Sequence, residues 1–426
     1  MKKFIFILLT LNIVVLFVEC MNKPDQYKGE ELIVDIIRGK KLMMSDFSSG
    51  INYISLGKSK DNMVASISKL VKVSDTLYFF DEKTQIIHKY TTKGDYVSRF
   101  DRIGKGPNEC AVISDFVIDT IKNRIEIIDV GNPKILTVDL NWNYISKREK
   151  PGYLRNFELI APNTYIYYAS NYIDPILFKK DHSANLILTD SCNRILKTYL
   201  PIFHKNYCSA APNQMVRNND GVLVATPLSN KIYFANALEC YVKYHINFNG
   251  YNVGKKFDYL SKIEDDDIEK LTNAFIGAIE ESNKDTYATN ITNMFEVGNI
   301  LFFQFFLSKD KEYSKNGIYI VVRNALLGKT QVGIPENDID YGLFGTPLAM
   351  FDDTLYTVIY PHSLKKRVSQ LTKSATKNPS LIPHIEKLNS LVDKNDEDLN
   401  PIIAKVAFKQ PETSQKNNKQ LNTTYE

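Results

Sequence analysis

The loop Arg99-Phe-Asp-Arg-Ile-Gly-Lys-Gly-Pro-Asn-Glu109 carries charges that could meet a ligand. Arg99, Asp101, Arg102 and Lys105 set both signs of charge close together, which suits an anionic or sugar-like ligand and equally a salt-linked surface. Gly104-Lys-Gly-Pro107 lacks the G-x-x-x-x-G-K-[ST] spacing in which backbone N–H groups ring a phosphate, so no nucleotide site is read there. It reads as a turn whose glycines supply backbone dihedrals that other residues avoid.

Other reactive residue types stand apart from one another. The six histidines, His88, His182, His204, His245, His362 and His384, form no H-E-x-x-H pair, and no G-x-S-x-G elbow accompanies them. His88 alternates within a strand and reads as an exposed or rim residue. Glu264–Asp267 does not match a D-x-[DN]-x-[DN]-G loop and reads as the acidic start of a helix. Asp81, Asp129 and Asp190 fall at strand ends, where a carboxylate accepts backbone N–H groups of a turn. Cys110, Cys192, Cys208 and Cys240 show no C-x-x-C spacing, so neither a metal nor a cofactor is expected. A Cys192–Cys208 bridge is permitted in an oxidising compartment; isolated core thiols are the simpler reading.

A charge of +4 from 53 basic and 49 acidic residues is too balanced for a nucleic-acid binder. The 44% apolar content can build a large core, and 25 Tyr with 23 Phe favour pleated, half-buried surfaces. Lys2 and Lys3 precede an apolar run from Phe4 to Val18, which reads as an export signal over residues 1–20. Cys20 sits where a bacterial lipoprotein carries its acylated cysteine, although Phe17 and Glu19 depart from the usual Leu and small residue. Residues 21–30 then form a tether.

The elements that position all of this repeat. Asp81 and Asp129, Tyr90 and Val138, and Tyr96 and Tyr144 are each 48 residues apart, within strand–turn–strand segments of matching pattern. Weaker copies follow around Asn163–Lys197, Gly221–Phe248, Ile300–Val322 and Leu348–Tyr360. Periods of 40 to 50 residues with four short strands mark a β-propeller, because one such sheet cannot bury both of its faces alone. Six units with strands left over at Glu31–Leu56 predict an all-β, six-bladed propeller over residues 31–408, in which an early strand completes the last blade. Helical spacing predicts an insertion at 262–282, between blades 4 and 5, and another at 363–394. Residues 409–426 read as a disordered tail.

Arg102-Ile-Gly-Lys-Gly-Pro-Asn-Glu109, Ile113-Ser-Asp-Phe-Val-Ile-Asp119, Pro227-Leu-Ser-Asn-Lys-Ile-Tyr233 and Asp398-Leu-Asn-Pro-Ile-Ile403 resemble the six-bladed, NHL-like propellers of Bacteroides-type bacteria. Many members of that family are predicted lipoproteins, so the resemblance implies a lipid anchor. The resemblance covers residues 30 to 408 and implies the fold, with almost nothing about activity. Asn108 stands where the family carries Gly, and a left-handed backbone there would be tolerated by Asn.

The expected function is a non-catalytic binding or scaffold module at the cell envelope, monomeric and lipid-anchored through Cys20. Its partner would be a small molecule, a glycan or an envelope protein. The alternative is a hydrolase or lyase acting on carbohydrate at the channel mouth, by fold analogy.

Overall fold

The computed structural model describes residues 29–57, 62–152, 154, 156–170, 184–202, 213–226, 229–253, 286–307, 317–392 and 400–410. These form six sheets. Three short N-terminal strands come first: β1 (Glu30–Ile33), β2 (Lys41–Met43) and β3 (Ser48–Ser55). Blade 1 is then β4 (Ile67–Val73), β5 (Thr76–Asp81), β6 (Ile86–Thr91) and β7 (Tyr96–Phe100). Blade 2 is β8 (Ile113–Asp119), β9 (Arg124–Asp129), β10 (Lys134–Asp139) and β11 (Tyr144–Glu149). Blade 3 comprises β12 (Asn156–Ala161), β13 (Thr164–Tyr168), β14 (Ala184–Asp190) and β15 (Ile195–Pro201). Blade 4 holds β16 (Met215–Asn218), β17 (Gly221–Ala225), β18 (Lys231–Asn236) and β19 (Cys240–Asn247). In blade 5 the strands are β20 (Ala288–Val297), β21 (Ile300–Leu307), β22 (Ile318–Asn324) and β23 (Lys329–Glu336). Blade 6 takes β24 (Thr346–Phe351), β25 (Thr354–Ile359) and β26 (Ile402–Phe408), and its fourth strand is β3.

Second strands such as β9 and β17 are buried on both faces, so they read as continuous apolar runs rather than alternating ones. Outer strands such as β11 are mostly exposed and carry the polar residues. Apolar layers between sheets hold neighbouring blades together: Tyr78 and Phe80 of blade 1 pack with Phe116 and Trp142 of blade 2.

The ring closes as the leftover strand at 51–56 predicts. β3 pairs antiparallel with β26, with Ile51 opposite Val406. The Asn-Pro of the closing motif has a mechanical role. Asn400 Oδ1 accepts the Val64 N–H at 2.8 Å, and its Nδ2 donates to the carbonyls of Gly57 and Asn62, both at 3.2 Å. One buried amide therefore ties blade 6 to the segment leading into blade 1. The sequence pattern does not show that β1 and β2 extend blades 4 and 5. Each adds as a fifth strand, parallel to β19 and β23. The N-terminal segment thus covers two outer edges before it closes the third.

Between β25 and β26 the chain forms helices α2 (Pro361–Ala375) and α3 (Ile382–Ser390), matching the predicted segment at 363–394; α1 is a single turn at Met44–Phe47. Leu364, Val368 and Leu371 of α2, with Ile385 and Leu388 of α3, join the core of blades 5 and 6. The predicted insertion at 262–282, Cys20, most of the tether and most of the tail lie outside the described residues.

Candidate functional site

The first strand of each blade is the innermost, and together the six line a central cavity of about 1370 Å³. Lys69, Asp115, Glu158 and Arg217 stand third in β4, β8, β12 and β16 of four consecutive blades, and all four line it. Lys69 Nζ donates to Asp115 Oδ1 at 2.8 Å and to Glu158 Oε1 at 2.9 Å, bridging blades 1, 2 and 3. Asp115 also accepts the backbone N–H of Phe116 at 2.8 Å and that of Phe157 at 3.0 Å. Arg217 donates to the carbonyls of Leu159 and Ile160 on β12.

Burial opposes every charge in this cluster. For Lys69 it would lower the ammonium pKa, but Asp115 and Glu158 more than offset that and hold it above the ordinary lysine range. For Glu158 burial is the larger influence: the carboxyl is raised despite Lys69, with Asp115 adding a like-charge contribution. Glu158 Oε2 has no hydrogen-bond donor among the described residues. Also among the described residues, no three His, Cys, Asp or Glu side chains gather closely enough to hold a metal ion.

Residues 32–407 match the family described as a domain of unknown function, DUF4934. The chain belongs to the DUF4934 family. No curated protein matches its sequence. Among solved structures, a Bacteroides fragilis protein described as exported is similar at a TM-score of 0.68 and 16% identity, over 89% of this chain and 99% of its own. A Bacteroides vulgatus member of the DUF4221 family is similar at a TM-score of 0.47 and 11% identity, over 85% and 97%. The first of these likenesses concerns the fold alone.

This DUF4934 chain places the four residues singled out by charge away from the cavity. Arg99 lies on outer strand β7 and pairs with Asp101 at 2.8 Å, while Arg102 and Lys105 occupy the following turn, and none of the four lines the channel. The turn does join blades 1 and 2, but its glycines serve a different purpose from the one expected. Gly104, Gly106 and Asn108 all avoid the left-handed region. Glu109 folds back so that its Oε2 accepts the Gly106 N–H at 2.8 Å, and a Cβ at Gly104 would fall 2.0 Å from that oxygen. A side chain at Gly104 would therefore displace the Glu109 carboxylate from this turn.

His88 is fully buried rather than exposed, because β6 is an inner strand of a blade covered on both faces. It stacks on Phe79 at 5.2 Å, and among the described residues neither ring nitrogen has a hydrogen-bond partner. The strand-end aspartates behave as read. Asp81 accepts the N–H groups of Ala65, Ser66, Lys83 and Thr84, and Asp129 those of Ala111, Val112, Gly131 and Asn132. Asp190 accepts those of Cys192 and Arg194. Cys110 is a buried thiol, none of Cys110, Cys192 and Cys240 is joined in a disulfide, and Cys208 lies outside the described residues.

The channel quartet has a sequence signal that charge density hides. Ile67-Ser-Lys69 and Ile113-Ser-Asp115 are the same strand start in consecutive blades, each with a register shift before its charged residue. A charge at the third position of four successive first strands marks the channel wall.

Proposed function

We propose that this chain is a non-catalytic binding module of the cell envelope whose ligand enters the central channel. The carrying observation is the Lys69–Asp115–Glu158 bridge on the wall of a cavity of about 1370 Å³. Asp115 is engaged by Lys69 and two backbone N–H groups, which makes it a fixture of the wall and leaves it poorly placed to serve as a nucleophile or base. Cavities of this kind, with a few convergent polar groups on rigid strands, suit recognition of a small polar molecule.

Export and lipid anchoring belong to the same reading. Support comes from the Lys2–Lys3 and Phe4–Val18 signal, from Cys20 at its end, and from the B. fragilis structural relative described as exported. Cys20→Ala followed by membrane fractionation tests the anchor, and unchanged membrane association would remove it.

A second reading, a hydrolase or lyase acting on carbohydrate, draws on Glu158. Burial raises this carboxyl beside a second carboxylate, which is how a general acid is prepared. A thermal-shift screen of glycans and small molecules, run on wild type and Glu158→Gln with product analysis of every hit, separates the readings. Hits without turnover support binding, turnover lost in Glu158→Gln supports catalysis, and flat shifts throughout would leave a protein partner.

A further inference from the structure

The charged groups of the channel are largely occupied with one another. Among the described residues the cavity is lined by four basic and five acidic side chains, close to balance. Lys69 holds two carboxylates, Lys72 pairs with Asp352, Asp119 with Arg124, Glu296 with Lys243, and Arg217 is spent on backbone carbonyls. An anionic ligand would have to compete with Asp115 and Glu158 for Lys69, and a cationic one would meet Lys69, Lys72 and Arg217.

Gln214 differs from all of these. It lies immediately before β16, lines the same cavity, and is 2% exposed. Among the described residues neither its Oε1 nor its Nε2 has a hydrogen-bond partner. The adjacent amides bond to one another: Asn213 Nδ2 donates to Asn293 Oδ1 at 2.6 Å, and Asn293 Nδ2 donates to Gln304 Oε1 at 2.5 Å. Gln214 stands outside this chain of amides. An unpaired buried amide is costly, so a ligand that supplied its missing partners would gain free energy there.

We propose that Gln214 is the specificity contact for an uncharged, polyhydroxylated ligand of the sugar type. This rests on the channel being the binding site. A side-chain amide offers one donor and one acceptor side by side, which matches a pair of vicinal hydroxyls, each able to accept and donate. Both amide atoms are closed to water in the free protein, so binding includes a rotamer change that turns the amide into the cavity. The ligand hydroxyls then satisfy an amide that the folded protein leaves unpaired.

The test uses the mature chain and three probe classes: neutral sugars (maltose, lactose and cellobiose), glucuronate as the anion, and glucosamine as the cation. Titration calorimetry on wild type should show neutral sugars binding at least tenfold more tightly than either charged probe. Gln214→Leu should weaken neutral-sugar binding at least tenfold. The same variant, free of ligand, should melt at a higher temperature than wild type, because an unpaired amide has been replaced by an apolar side chain of similar size. A lower melting temperature would show that Gln214 has a structural partner and overturn the inference, as would neutral-sugar binding unchanged in Gln214→Leu or preference for a charged probe. Absence of any neutral-sugar binding would overturn it as well. Val216→Trp, which fills the channel, separates the levels: binding lost there but kept in Gln214→Leu retains the channel and removes Gln214, whereas binding kept in both removes the channel.

Discussion

Lys69 and Asp115 hold the same place in consecutive blades and pair across the boundary, with Nζ 2.8 Å from Oδ1. Each follows an Ile-Ser pair, and the opposite charges turn a repeated strand start into a cross-blade tie. Lys69 is mostly buried, so removing it leaves two carboxylates uncompensated. Lys69→Met should cost about 2–4 kcal/mol of unfolding free energy. Adding Glu158→Gln should recover part of that loss. Strict additivity in denaturant melts of the two single variants and the double would deny the coupling.

Asn400 supplies a second stability test, at ring closure. Its side chain answers one buried N–H and two carbonyls from the segment that leads into blade 1. Asn400→Ala should cost about 2–4 kcal/mol, by stranding those groups. Hydrogen exchange should localise the early opening to β3 and β26; uniform loss of protection would argue against a latch.

His88 gives a pH dependence of known sign. Burial is the leading cause that lowers its pKa, and Arg99 acts in the same direction against Asp81 and Asp101, leaving it at about 4. Its ordinary value is 6.5, so between pH 6.5 and 4 the unfolded chain takes up a proton that the folded chain refuses. Stability is therefore full above pH 6.5 and declines towards pH 4, by up to about 3 kcal/mol. His88→Phe should flatten that window in a pH series of melts, and an unchanged slope would assign it to other groups.

Asp129 acts further into acid. Burial alone would raise its carboxyl, but the N–H groups of Ala111, Val112 and Asn132 and the Asn132 amide lower it below the ordinary 3.8. A depressed carboxyl contributes stability that is present above the unfolded value and lost as pH falls through the folded one. Asp129→Asn should remove this contribution at neutral pH and weaken the acid dependence below pH 4, read by the same melts.

The fold was largely legible in the sequence because its physical causes are local and recur. Asp81 and Asp129 show it: each receives backbone N–H groups from the entry segment and from the following turn, so the same side chain is needed in each blade. The site was much less legible. The best-defined junction loop pointed to Arg99, Asp101, Arg102 and Lys105, where solvent tolerates charge on an outer strand and turn. The clustered charges sit on separate strands, Lys69 on β4, Asp115 on β8 and Glu158 on β12, and meet only when the ring brings those strands together. His88 misled for a related reason, since alternation predicts exposure only when one face of a sheet is open. The parallel additions of β1 and β2 depend on outer edges that no local pattern reveals.

Val216 offers the most direct measurement. It lines the channel on β16 and is only partly buried, so Val216→Trp should fill the cavity without emptying a core position. Titration of maltose, lactose and cellobiose into wild type and Val216→Trp tests whether the channel holds the ligand. Saturable binding to wild type, lost in a variant that melts within a few degrees of it, is the predicted result. Equal binding to both proteins, or none to wild type, would contradict it.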